Sequence, residues 1–376
     1  MWILFYILFI LTSITVLTIP NLYDNFWIQK ECVFNILGFA FIASSWIGNN
    51  PKILTFKNKW IAIIFIYLVL SFGWFFYLPL ITSKLGTKVV WNLWVIRPFI
   101  NIVLGLWIIQ TLVEYTDSLQ RWINISKMLC WAAFGFSIYS IFQVWGFDPI
   151  FKRFGTNNLP VTFFGNSNLT GNFLAILSPI CLIFKDFRYK IIYALCFIAI
   201  LLTNSSVSLI SFIAGLFIYL LLTKKWKIVL LLALTGILFV VVKKPAFFSF
   251  SGRFKIWNDT LGYCKDTLWL GKGLGNFAAN QYKPLDSTVA ISAHCEPLQI
   301  LHDSGIFMVS LIGIYFLDLF RRIFISKWNM LLIGFTSALS AYLIICFGNF
   351  PLRIAPMALT GIIYIAAIET ILIKGE

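Results

Sequence analysis

Of 376 residues, 60% are hydrophobic and 11% charged, and the mean hydropathy is +0.90. A water-soluble domain cannot hide that much apolar surface, so composition excludes a soluble globule and indicates an all-α polytopic membrane protein. The net charge of +15 calls for no nucleic acid, because basic residues beside membrane segments match anionic lipid headgroups.

Hydrophobic runs recur along the whole chain. With about 20 residues needed per spanning helix, some twelve spans are expected, near 2–20, 32–48, 60–80, 89–113, 123–146, 168–184, 190–204, 206–222, 226–242, 298–319, 329–349 and 353–373. The first lacks a basic leader and a small-residue cleavage site, so it reads as a retained helix. No internal repeat stands out, and residues 1–376 read as a single membrane domain. Its one elaboration is a polar loop over 243–297, between the ninth and tenth spans.

Arg97 interrupts the fourth span, in Trp94-Val-Ile-Arg97-Pro98. A charge within a span is costly and is by default a functional hypothesis; snorkelling to the lipid surface is the plainer alternative. Ahead of the sixth span runs Phe163-Phe-Gly165-Asn166-Ser-Asn168. Asn166 and Asn168 could bond sugar hydroxyls or phosphate oxygens, or simply cap the helix.

Lys and Arg counts set the expected orientation. With the N-terminus in the cytoplasm, the inside loops and C-terminus carry fifteen basic residues, among them Lys57, Lys185, Lys224, Arg321 and Lys374; the short outside loops carry six, among them Lys30, Lys84 and Arg353. Both termini are therefore expected inside and the long loop outside.

That loop holds most of the chemistry. From Phe254 the apolar residues fall at Phe254, Trp257, Leu261, Cys264 and Leu268, one face of a helix lying on the outer membrane surface. Ser251 is its candidate N-cap, and Arg253 falls in its first turn. Helix N-termini are already electropositive, so an arginine there is poorly placed unless an anion such as a diphosphate joins it. An exposed arginine reaching lipid phosphate is the alternative. Next comes Gly271-Lys-Gly273-Leu-Gly275, which follows a helix rather than a strand and so fits a tight turn or close backbone approach better than a nucleotide site.

Both histidines of the chain, His294 and His302, lie at the loop's end. Pro297 suits the first position of the helix that follows, with His294 just outside it and His302 deeper. Histidine is the commonest general base near neutral pH, and Glu296 or Asp303 could orient an imidazole. Arg353 stands at the outer start of the last span. Cys264 and Cys295 share the loop and could pair in an oxidising compartment. No Asp-x-Asp occurs, and two histidines with few external acids do not suggest a metal site. No cofactor is expected.

These residues, in order, resemble a known family. Gly252-Arg253 followed by Trp257, then Leu270-Gly271-x-Gly273-x-Gly275-Asn-Phe277, Ala293-His294 and Leu298-Gln299-x-Leu301 ending at Gly305-Ile306 are similar to the O-antigen ligase/O-antigen polymerase superfamily. So is Gly165-Asn166-x-Asn168. The resemblance implies a GT-C-like membrane glycosyltransferase with about twelve helices and a periplasmic loop between the ninth and tenth. It implies transfer of a glycan from undecaprenyl diphosphate to an acceptor hydroxyl, the lipid A core or another glycan, at the bacterial inner membrane. Arg253 corresponds to the loop arginine that engages the diphosphate, and His294 to the histidine that activates the acceptor. Many members carry Ser-Arg-Gly at the start of the eighth span; here the run is Ser205-Ser206-Val207, which leaves Arg97 or Arg353 to supply a second cationic contact. A repeat-unit polymerase of the same superfamily is the nearest alternative, and a flippase or transporter a more distant one.

Overall fold

The computed structural model describes residues 2–14, 28–47, 59–77, 93–116, 118–148, 159–225, 227–228, 251–274, 277 and 292–374. Within them lie twelve α-helices and no strand. They are α1 (Trp2–Ile14), α2 (Ile28–Ile47), α3 (Lys59–Tyr77), α4 (Leu93–Tyr115), α5 (Leu119–Val144), α6 (Ser167–Leu177), α7 (Phe187–Leu202), α8 (Ser206–Leu222), α9 (Ser251–Cys264), α10 (Glu296–Ile325), α11 (Met330–Gly348) and α12 (Ala355–Lys374). A 3-10 segment, Ser178–Ile183, extends α6.

Four of these, α5, α10, α11 and α12, are long and apolar enough to cross a membrane; α1, α3, α4, α6 and α8 contribute shorter apolar helices. The expected ninth span, 226–242, lies outside the described residues apart from Lys227 and Ile228. So do the basic residues Lys84 and Lys88. The helix α9 is the surface helix of the polar loop and not a span.

Close packing depends on small residues, which let helix backbones approach where lipid gives no hydrophobic drive to association. Gly215 of α8 lies under Pro179 and Ala341, Gly361 of α12 lies under the Tyr342 ring, and Gly334 of α11 meets Ile183. Polar side chains bond across the seams: Ser211 donates to the Ala341 carbonyl at 2.6 Å and Tyr364 to the Ile176 carbonyl at 2.7 Å. Of the four long apolar helices the last is the most enclosed, with Tyr364, Ile368 and Ala367 fully buried.

The decisive irregularity is in α10. Gly305 has φ 73° and ψ −179°, a conformation open essentially only to glycine, and it breaks the helix into an upper part and a lower part. The break exchanges backbone partners in an orderly way. The His302 carbonyl accepts from Lys272 N at 2.7 Å, the Asp303 carbonyl from Gly273 N at 2.9 Å, and Ile306 N donates to the Leu268 carbonyl at 2.8 Å. The Ser304 carbonyl accepts from the Tyr67 hydroxyl at 3.0 Å. The glycine run thus makes the close approach expected of it. Gly271, at φ 76°, stands so near that a Cβ there would lie 2.5 Å from Ser304 N.

Gly305→Ala should destabilise the protein by about 1–3 kcal/mol or more, because a Cβ would also overlap the Trp269 carbonyl. Gly313→Ala, on the same helix, meets nothing within 4 Å and should be neutral or mildly stabilising. Thermal unfolding in detergent compares the two; equal midpoints would contradict this account of the break.

Candidate active site

The site forms where α9, the mouth of α10 and the turn between α11 and α12 meet. Arg253, in the first turn of α9, donates through Nη1 to the carbonyl of Gly348 at 2.8 Å. Gly348 ends α11 and opens a short turn, Gly348-Asn349-Phe350-Pro351-Leu352-Arg353, whose last three residues form a 3-10 segment. His294 packs its ring edge-on against Phe350, centroids 5.1 Å apart. Glu296, buried at the start of α10, accepts from Leu352 N at 2.9 Å. Arg353 donates through Nη2 to Asp303 Oδ2 at 3.0 Å. Four residues singled out from the sequence therefore gather on one six-residue turn.

His294 is held in an unusual backbone state. Its φ is +49°, the left-handed region that non-glycine residues seldom occupy and that clusters at functional sites. Both sides of the preceding peptide are pinned: Ala293 N donates to Gln299 Oε1 at 2.8 Å, and the Ala293 carbonyl accepts from Trp257 Nε1 at 3.0 Å. Cys295 then caps α10, with Pro297 at its second position, one residue further in than expected.

Burial pushes the His294 imidazole below its ordinary value, and the Arg253 guanidinium beside it pushes the same way; the Asn349 side chain partly offsets them. Its Nδ1 is buried without a protein partner among the described residues. A neutral imidazole near a cation is the protonation state a base needs at neutral pH. Burial also lowers Arg253, though a guanidinium stays charged in proteins.

A second cluster lies beneath. His302 is fully buried; its Nδ1 meets Asp303 Oδ1 at 2.8 Å, and Phe277 lies edge-on to its ring, centroids 5.0 Å apart. Asp303 thus links His302 to Arg353, and Gln299 reaches the same carboxylate at 3.4 Å. His302 lies on the upper part of α10, before the break at Gly305.

Other expectations fare differently. Asn166 caps α6, its Oδ1 accepting from Asn168 N at 2.9 Å and Leu169 N at 3.3 Å; Asn168 is exposed. Arg97 sits on the first turns of α4, and its side chain lies outside the described residues. Ser251 is the first residue of α9, and its side chain too lies outside them. Cys264 and Cys295 are both buried free thiols. The run Ser205-Ser206-Val207 starts α8 with Ser205 as its cap, and Val207 packs against Gly348. This segment adjoins the same turn.

Asn349, Gln299 and Trp257 act at the site without having been marked as site residues. Asn349 had one signal, a Gly-Asn-x-Pro turn directly after an apolar run. Gln299 and Trp257 belong to the motifs of the resemblance, Trp257 also to the apolar face of its helix, and only the fold shows them closing on Ala293.

No curated protein matches the chain. Residues 191–313 match the family model for O-antigen ligase. The matched stretch runs from α7 into α10 and contains Arg253, His294 and His302. It supports, for a multi-pass membrane chain of apolar helices, the O-antigen ligase/polymerase superfamily.

Proposed function

We propose that this protein is an O-antigen ligase-type glycosyltransferase. It moves a glycan from undecaprenyl diphosphate to a hydroxyl of an acceptor, the lipid A core, on the periplasmic face of a bacterial inner membrane. The observation that carries the reading is the convergence of Arg253 and His294 on the α11–α12 turn, inside a segment that matches the family.

The chemistry balances with these groups. His294 takes the proton of the acceptor hydroxyl. The oxygen attacks the anomeric carbon, the bond from that carbon to the diphosphate breaks, and the diphosphate leaves with the electron pair. Attack opposite the leaving group inverts the anomeric centre. Arg253 stabilises the departing charge, and a guanidinium suits this because it meets phosphate oxygens two at a time. Arg353 is the second cation for this task, with Arg97 as a further candidate. No Asp-x-Asp is present to carry a metal-held nucleotide sugar, and a metal-independent route fits a donor whose diphosphate is met by arginines.

The other residues have supporting parts. Glu296 holds the turn through Leu352 N, and His302 braces Asp303 against Arg353. Asn166 and Asn168 shape the opening of α6, where a glycan could contact them. A polymerase would use the same groups on a different acceptor. Purified protein offered a lipid-diphosphate glycan with either lipid A core or a second lipid-linked repeat unit distinguishes the two by product; transfer to the core is expected.

His294→Ala should lower kcat by about 10²–10⁴-fold, and Arg253→Ala by a comparable or larger factor, both with unchanged membrane insertion; Arg253→Ala should also lower the melting temperature, because the Gly348 carbonyl loses its partner. Full activity in His294→Ala would end its assignment as base.

The His294 titration is a separate measure. Because its pKa is depressed, the neutral form persists below the ordinary midpoint of about 6.5, so the acid limb of activity should fall below that pH. With only two histidines in the chain, labelled-imidazole NMR can follow each. Arg253→Gln removes one depressing charge and should move the His294 midpoint upward; an unmoved or lowered midpoint would contradict the electrostatic coupling.

A further inference from the structure

The polar loop carries an apolar surface of its own. The face anticipated for α9 divides in two. Trp257 turns inward and bonds Ala293, while Thr260 and Cys264 are buried against the protein. Leu261 and Phe254, on the adjoining flank, are 47% and 60% exposed. Beyond the helix end the same flank continues into Leu268 and Trp269, the latter 64% exposed. Asn258, one turn on from Phe254 and three residues before Leu261, shares this flank, while Asp259, also exposed, faces away from it.

Its level relative to the bilayer follows from the break in α10. Below Gly305 the helix keeps about twenty residues, 306–325, or about 30 Å at 1.5 Å per residue, matching the hydrocarbon thickness of a bilayer. Arg321 and Arg322 lie near its far end, where cations meet headgroups. Phe307 therefore lies in the first turn of the membrane-crossing part, and its ring faces outward. Trp269 packs on it, ring centroids 5.5 Å apart. A tryptophan so placed sits at the bilayer edge, where indole rings are enriched because one side is apolar and the other wet.

We infer that Leu261, Leu268, Trp269 and Phe254 form a lipid-binding stripe that seats α9 in the outer acyl region of the leaflet facing the site. The occupant is bulk phospholipid. The stripe is continuous with Phe307 on a spanning helix, and Lys255, Lys265 and Lys272 stand around it with the charge that headgroup phosphates attract. Seating α9 this way holds Arg253, one residue before Phe254, at headgroup depth. A lipid-linked diphosphate would reach it by sliding within the leaflet rather than by leaving the membrane.

The test places a photo-crosslinking amino acid singly at Leu261, Leu268 or Trp269, and at Asp259 as the control, in the full protein in phospholipid vesicles free of polyprenyl lipid. Mass spectrometry reads the adducts. Phospholipid adducts at 261, 268 and 269, at least tenfold above those at 259, are expected. Equal yields at all positions, or none at the stripe, overturn the inference. Adducts that form only after undecaprenyl diphosphate is added also overturn it, since the stripe would then belong to the carrier's chain. The readout needs no glycan transfer, so it stands apart from the proposed activity.

Discussion

The constraint on which the rest of the structure depends is that a buried backbone group must find a partner within the protein. Breaking α10 at Gly305 frees carbonyls and an amide that a regular helix would pair. The loop 268–273 supplies the partners: two amides, from Lys272 and Gly273, and the Leu268 carbonyl; Tyr67 supplies a hydroxyl. The loop is thereby tied to a spanning helix at backbone level. The tie sets where α9 ends and so where Trp257 can reach Ala293. Glycine is required on both sides of the contact, at 271 and at 305, because each Cβ would enter the other strand of chain. The glycine run reads as a fitting between two backbones, and the candidate site stands on it.

The same constraint explains why the polar groups cluster. In a chain this apolar, a charge away from headgroups or water is expensive unless it is paired. The turn from Gly348 to Arg353 collects ends: the last carbonyls of α11, the free amides before α12, and the N-terminus of α10. Arg253 and Glu296 each satisfy one of these backbone groups, and for Arg253 doing so brings a cation to His294. Structural satisfaction and chemical placement are one arrangement here, so each of these side chains has a fold role in addition to any catalytic one. His294 is the exception. Its backbone sits in a strained region and its Nδ1 has no protein partner among the described residues, a cost that packing alone does not repay.

Much of this was legible in the sequence, for physical reasons. Apolar runs identify helices because the requirement for length and composition is severe, and α7 and α8 appear on either side of the short break at Thr203–Ser205. Arg253 and His294 stood out because titratable residues are rare here. What could not be read was contact between distant segments. Nothing in the periodicity of α9 says which part of its apolar arc meets protein and which meets lipid, since both environments accept Leu and Phe. Nothing near position 349 says that its side chain will face an imidazole 55 residues upstream. The two readings of Asn166 needed a geometry to separate them, and its bonds to two backbone amides are those of a helix cap. The break in α10 was hidden because a glycine in a helix is tolerated at a cost of only about 1 kcal/mol, so Gly305, between His302-Asp303-Ser304 and the apolar run from Ile306, gives no signal of its own.

A kinked helix can slide or straighten unless something fixes it above and below the kink. Above, Asp303 grips Arg353, just ahead of α12. Below, Arg322 grips Glu369 within α12 by two bonds of 2.7 and 2.8 Å, Tyr315 adds a third contact to Glu369 at 3.1 Å, and Asp318 holds the Arg322 Nε at 3.1 Å. Buried ion pairs add little net stability, because desolvation consumes most of their attraction. Their use here is positional. From Asp303 to Arg322 and from Arg353 to Glu369, α10 and α12 run in the same direction, clamped at both ends. A one-turn slip of either helix would separate both pairs at once and take the buried carboxylates Asp303 and Glu369 from their arginines. The clamps thus keep the upper part of α10, and His294 at its mouth, in fixed register with the turn that carries Phe350 and Arg353. That register is what a proton acceptor and a cation need if they are to serve one reacting centre.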